Sequence, residues 1–181
     1  MAVTSEMVPL GTPAPDFALA DVSGHVVRRD DFADAPALLV AFVCNHCPYV
    51  KHVEVGLAKV LAEFPNLAVV GICTNDVDAY PDDAPAQLAA QAQRAGWTFP
   101  YLVDATQQIG RAYQAVCTPD FFLYGADRTL AYRGAFDDST PGNGKPVTGA
   151  ALRAAIELVL AGQPVPEPHQ PSMGCSIKWR S

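Results

Sequence analysis

Residues 37–48 read Ala37-Leu38-Leu39-Val40-Ala41-Phe42-Val43-Cys44-Asn45-His46-Cys47-Pro48. An apolar run this short, with no polar interruption, predicts a strand buried on both faces. Pro48 suits the first turn of a helix, where a missing N–H costs nothing. Val53, Leu57, Val60, Leu61 and Phe64 then recur at spacings of three and four, so the helix runs to about Phe64. The two cysteines therefore stand at a strand-to-helix junction. Such a pair can close a small disulfide and reopen it, and the helix start favours a thiolate. The stretch points to electron transfer through sulfur.

Working outward, residues 9–31 are rich in Gly, Pro and Asp. Short alternating pieces at Asp16–Leu19 and His25–Arg28 predict a β-hairpin about Ser23-Gly24. Downstream, Leu67–Cys73 reads as a second buried strand, and polar, turn-rich Thr74–Pro85 as a loop. Ala86–Ala95 reads as a helix closed by Gly96. Phe99–Val103 is a short strand, Gln107–Ala115 a short helix, and Asp120–Tyr124 with Thr129–Phe136 an antiparallel hairpin. Thr148–Leu160 is a last amphipathic helix, ended by Gly162. The remainder, with Pro164, Pro166, Pro168 and Pro171, should run extended and semi-rigid. The expected division is a domain over 1–162 and a Pro-rich tail over 163–181. Strands alternating with helices imply a mixed sheet with a parallel core.

The chain has 181 residues, enough for one domain with a full core. Its formal net charge is −7, without a basic run, which gives no electrostatic footprint for nucleic acid or anionic lipid. No apolar run approaches the roughly 20 residues of a membrane span. The first residues show neither a basic nor an apolar leader segment, so the expected compartment is the reducing cytoplasm. Five cysteines, Cys44, Cys47, Cys73, Cys117 and Cys175, with a single close pair do not make a disulfide framework.

The element order, the Cys-x-x-Cys after the first core strand and Thr118-Pro119 about 70 residues downstream resemble the thioredoxin superfamily. Gly11-Thr-Pro-Ala-Pro-Asp-Phe-Ala-Leu, Asp21-Val-Ser-Gly24 and Phe99-Pro-Tyr-Leu-Val-Asp104 look like the AhpC/TSA–redoxin branch and its TlpA/ResA-like thiol–disulfide oxidoreductases. The resemblance spans about residues 9–162. It implies an α/β thioredoxin-like fold: a central mixed sheet flanked by helices, an N-terminal hairpin, one inserted helix and an extended C-terminal tail. Three family features are absent. The buried acid six residues before the first cysteine is here Leu38, and the Glu three residues after the second is here Val50. The Thr that precedes a peroxidatic cysteine by three residues is here Ala41.

The resemblance also implies roles. Cys44 is the expected nucleophile, partly exposed, and Cys47 the more buried resolving thiol. Asn45 and His46 lie between them. DsbA-like oxidants also carry His at the second of these positions, which implies a thiolate-stabilising role. Pro119 matches the family's cis-proline, with Thr118 offering its backbone to an extended substrate strand. Cys117 should lie near the dithiol, and the tail is long enough to return Cys175 there as an extra redox thiol or a lid. Ile177 and Trp179 would anchor it. Cys73 reads as core, and Glu54 and His52 as solvated helix residues. A zinc site on Cys44, Cys47 and His46 or His52 is the disfavoured alternative, because no second Cys-x-x-Cys completes it.

The expected activity is thiol–disulfide exchange through Cys44–Cys47, with no metal or organic cofactor. Its substrate would be a disulfide or peroxide, with electrons from a thioredoxin-type donor. The alternatives are a peroxiredoxin-like enzyme attacking hydroperoxides with Cys44, and a non-enzymatic redox sensor or metal-binding thiol protein.

Overall fold

In the computed structural model, which describes residues 1–181, the strands are β1 (Ala2–Thr4), β2 (Ala18–Ala20), β3 (Val26–Arg28), β4 (Leu38–Phe42), β5 (Ala68–Cys73), β6 (Tyr101–Val103), β7 (Cys117–Thr118), β8 (Asp120–Tyr124), β9 (Leu130–Gly134) and β10 (Met173–Ser176). The helices are α1 (Pro48–Ala62), α2 (Pro85–Ala95), α3 (Gln108–Ala112) and α4 (Ala150–Leu160). Five strands form the central sheet in the order β6-β5-β4-β8-β9. β4, β5 and β6 run parallel, and β8 and β9 antiparallel. This is the mixed sheet that the resemblance implied.

The apolar run 37–43 is continuous because β4 is the middle strand and is covered on both faces. Leu39 and Ala41 pack with Leu57 and Val60 of α1, Leu88 of α2, and Leu152 and Ile156 of α4. Leu38, Val40 and Phe42 face the other way, onto Phe17, Val27, Tyr113 and Ile177. One face is thus helical, and the other is closed by the N-terminal hairpin, α3 and the chain's C-terminal end. Parallel strands need crossovers, and α1 and α2 supply them. Helix α2 ends at Gly96, which takes the left-handed conformation at φ 75° that glycine reaches without a Cβ clash.

The sequence reading did not foresee a second sheet. β10, from the Pro-rich tail, inserts between β1 and β7 as an antiparallel strand. Met173-Gly174-Cys175-Ser176 has no apolar alternation to announce a strand. What makes it one is the unpaired backbone edge it meets on each side.

Candidate active site

Cys44 leaves the end of β4, and Cys47 caps α1 in an extended conformation, with Pro48 in the first turn. Both are fully buried. The partial exposure expected of Cys44 is therefore not found, because residues from three other parts of the chain enclose it. Its Sγ lies 3.4 Å from Thr118 Oγ1. Its carbonyl accepts from Gln91 Nε2 at 2.9 Å. Cys47 Sγ donates to the Thr118 carbonyl at 3.3 Å.

The two thiols act strongly on each other, so they ionise as a pair. Cys47 is lowered to about 4, first by its interaction with Cys44. Burial opposes this, and Cys175, Thr118 and the Val50 amide add to it. Cys44 is pushed well up by the same interaction, by burial and by the charge of Asp83. The pair's mutual interaction thus favours ionisation of Cys47 over Cys44, whereas the Thr118 contacts suit the reverse: a Cys47 thiol donating to the carbonyl and a Cys44 thiolate accepting from the hydroxyl. The helix start that was to favour Cys44 belongs to Cys47, its capping residue.

A carboxylate missing from both expected positions arrives from elsewhere. Asp83, fully buried, reaches the Cys-x-x-Cys turn from the loop before α2. Its Oδ1 accepts the backbone N–H groups of Asn45 at 2.7 Å and His46 at 3.2 Å. Its Oδ2 meets His46 Nδ1 at 2.6 Å and Asn75 Nδ2 at 2.9 Å. Burial alone would raise this carboxyl, but the bonds from His46, Asn75 and Asn45 outweigh it and hold the group below its ordinary value. Tyr80 stacks on His46 with ring centroids 5.2 Å apart. The sequence signal was Pro81-Asp82-Asp83-Ala84-Pro85, an acid pair fixed between prolines beyond the C-terminal end of a core strand, where α/β sites collect.

Helix α2 braces the same turn. Arg94 holds Glu54 through Nε at 2.9 Å and Asn45 Oδ1 through an NH2 group at 2.9 Å. Gln91 links Glu54 and the Cys44 carbonyl and receives Tyr101 OH at 2.8 Å. Glu54 is thus buried and paired, contrary to the solvated role expected of it. The signal lay in its spacing, four residues after Val50 and three before Leu57, on the apolar stripe of α1. His52 turns away to Ser139, at 3.0 Å.

The Thr118–Pro119 peptide is cis, as the resemblance implied. Its edge, however, is occupied. Cys175 of β10 pairs with Thr118 where a substrate strand was expected. A Cβ on Gly174 would collide with the Thr118 carbonyl, so only glycine permits this approach. Beyond β10, Ile177 is buried, Lys178 N–H bonds Asn75 Oδ1 at 2.8 Å, and Arg111 lies 4.4 Å over the Trp179 ring. Cys175 comes near enough to Cys47 for the two thiols to influence each other's ionisation. Cys117, also expected near the dithiol, contacts the Pro119 carbonyl at 3.8 Å, and burial pushes its thiol up. Cys73 is buried at the end of β5, and burial raises it likewise.

For a metal, Cys44, His46 and Asp83 bring one ligand atom each within 4.8 Å of one another. The hydrogen bond between His46 Nδ1 and Asp83 Oδ2 competes with such a use. Beside Pro119 lies a cleft of about 40 Å³, lined by Tyr49, His52, Phe136 and tail residues 170–173.

The AhpC/TSA family model matches residues 10–133. Among solved structures, a hypothetical protein from Sinorhizobium meliloti is 48% identical, with a TM-score of 0.96 and 98% of each chain covered. An uncharacterized conserved protein from Geobacillus kaustophilus is 47% identical, with a TM-score of 0.96 over 99% of this chain and 97% of the other. A secreted disulfide oxidoreductase from Mycobacterium tuberculosis, homologous to E. coli DsbE, shares the fold at 20% identity. Its TM-score is 0.61, over 78% of this chain and 94% of the other. No curated protein matches. No helix is long and apolar enough to cross a membrane.

Proposed function

The chain belongs to the AhpC/TSA family, and on that premise we propose that it is a thiol–disulfide oxidoreductase working through Cys44 and Cys47. One observation carries this reading. Two buried sulfurs stand at a strand-to-helix junction and both contact Thr118. With Cys47 protonated, its S–H has the Thr118 carbonyl as acceptor, and a Cys44 thiolate has the Thr118 hydroxyl as donor. Cys44 then attacks a substrate disulfide, forming a mixed disulfide and releasing one thiolate. Cys47 attacks Cys44 Sγ and releases the second thiolate. The substrate gains two electrons, and the protein keeps a Cys44–Cys47 disulfide. A thioredoxin-type dithiol restores the reduced pair, in a reducing compartment such as the cytoplasm and without an organic cofactor. Asn45 and His46 act by tying the turn to Asp83, which holds its backbone in place beside Cys44.

A second reading is hydroperoxide reduction, with Cys44 attacking the peroxide and Cys47 resolving the sulfenic acid. The Thr118 hydroxyl 3.4 Å from Cys44 Sγ favours it, since it supplies a polar partner that Ala41 lacks. Reduction of insulin and of small disulfides, measured beside hydroperoxide consumption, tests both. Disulfide turnover lost in Cys44→Ser supports the first reading. Peroxide turnover without disulfide turnover replaces it with the second.

A further inference from the structure

Of the five cysteines, Cys175 is the one that is not buried. A buried dithiol that exchanges electrons with an external partner needs a route to the surface, and the tail places a thiol on that route. The register sets Cys175 opposite Thr118, whose carbonyl also receives Cys47 Sγ at 3.3 Å. Cys47 and Cys175 therefore converge on one peptide. Several independent contacts hold them there. β1 pairs with the far edge of β10, setting Ala2 opposite Cys175. Ser176 N–H reaches the Met1 carbonyl at 3.2 Å and Ile177 N–H the Val116 carbonyl at 3.0 Å. Gly174 admits the close approach that any side chain would block. A tail fixed this firmly with a cysteine over the dithiol does more than cover it.

We propose that Cys175 is a third redox thiol that exchanges with Cys47 and carries oxidation from the buried pair to the surface. The proposal rests on the Cys44–Cys47 chemistry above. After substrate reduction, Cys175 loses its proton to water and attacks Cys47 Sγ of the Cys44–Cys47 disulfide. The Cys47–Cys175 bond forms, the Cys44–Cys47 bond breaks, and Cys44 leaves as a thiolate that takes up a proton. No electrons are gained or lost in this step. An external dithiol then attacks Cys175 Sγ and frees Cys47. Its second thiol resolves the mixed disulfide, so the external dithiol is oxidised and all three cysteines are reduced.

The reduced state keeps Cys175 idle. Burial first, and then the neighbouring Cys47, hold its thiol up at about 11. Once Cys47 is in a disulfide its contribution is gone, while burial stays and Lys178 and the N-terminus favour ionisation of Cys175. Oxidation of the pair therefore eases the attack. Cys117 takes no part, because its sulfur is directed to the Pro119 carbonyl.

The test oxidises the full chain with oxidised glutathione and maps disulfides by non-reducing peptide mass spectrometry. Trypsin leaves Cys44 and Cys47 in one peptide and Cys175 in another, so the linkages separate. Wild type should show Cys44–Cys47, and Cys44→Ser should show Cys47–Cys175. A Cys44→Ser protein that ends with glutathionylated Cys47 and a free Cys175, while wild type still forms Cys44–Cys47, overturns the relay and leaves the dithiol chemistry standing. A wild type that forms neither linkage overturns both. A second measurement does not depend on that variant. Re-reduction of the oxidised protein by dithiothreitol should slow roughly tenfold or more in Cys175→Ser, because attack is then confined to buried sulfurs. An unchanged rate overturns the relay.

Discussion

Replacing Asp83 with Asn keeps the shape of the side chain and removes its charge. The carboxylate accepts four hydrogen bonds, two on each oxygen: backbone N–H groups on Oδ1, and His46 and Asn75 on Oδ2. An amide has one accepting oxygen. Its NH2 must then face either the two backbone donors or the Asn75 amide and His46. Two buried donors lose their acceptor at about 1–3 kcal/mol each, so a total loss of about 2–6 kcal/mol is expected. For a chain of this size each kcal/mol moves the melting temperature by about 2–4 °C, giving a fall of roughly 4–24 °C. The sign of the pH dependence follows from the lowered Asp83 value. Its stabilisation is complete above the unfolded value of about 3.9 and is lost as pH falls through the lower folded value. The gap between wild type and Asp83→Asn should therefore be widest near neutrality and narrow in acid. The thiols supply a second reading. Removing a charge within 4.8 Å of Cys44 Sγ removes a repulsion worth about 0.9 kcal/mol even at the dielectric of water. Ultraviolet thiolate titration of the Asp83→Asn and Cys47→Ser double variant should thus show Cys44 ionising about fourfold or more readily than in Cys47→Ser alone. A melting temperature and a Cys44 titration both unchanged would refute the role given to Asp83.

Gly174→Ala forces a Cβ onto the Thr118 carbonyl and should undock the tail. Overpacking of about 1–3 kcal/mol is expected, and Cys44 alkylation by iodoacetamide should rise many-fold; equal alkylation rates would show that the tail does not guard the pair. Arg94→Ala cuts the ties from α2 to Glu54 and Asn45. Turnover should fall while the secondary structure seen by circular dichroism persists, and unchanged turnover would remove α2 from the account. His46→Pro deletes both bonds from His46 to Asp83 and should lower the reduction potential in a glutathione titration. A higher or equal potential would count against His46 as a thiolate-stabilising residue.

Most of the fold was legible because burial writes itself into periodicity. β4 and β5 read as continuous apolar runs since both of their faces are covered, and α1 reads at spacings of three and four since one face is. The Cys-x-x-Cys site was legible for a different reason: its residues are contiguous. What could not be read was assembled from a distance. Asp83 and Arg94 act on Asn45 across 38 and 49 residues, and no local pattern encodes such pairings. β10 is four residues with a glycine, a strand by virtue of its neighbours rather than its propensity. The balance between the two thiols lies in the same gap. The helix start and His46 speak for a Cys44 thiolate, but Asp83 and Cys175, which also act on the pair, are brought to it only by the folded chain.

The measurement that bears most directly on the account is thiol counting on wild type across a glutathione redox titration, with the oxidised residues located by mass spectrometry. The account expects one two-electron transition in which two of the five thiols disappear together, both in the peptide carrying Cys44 and Cys47. Oxidation of Cys44 that leaves Cys47 free throughout would contradict it.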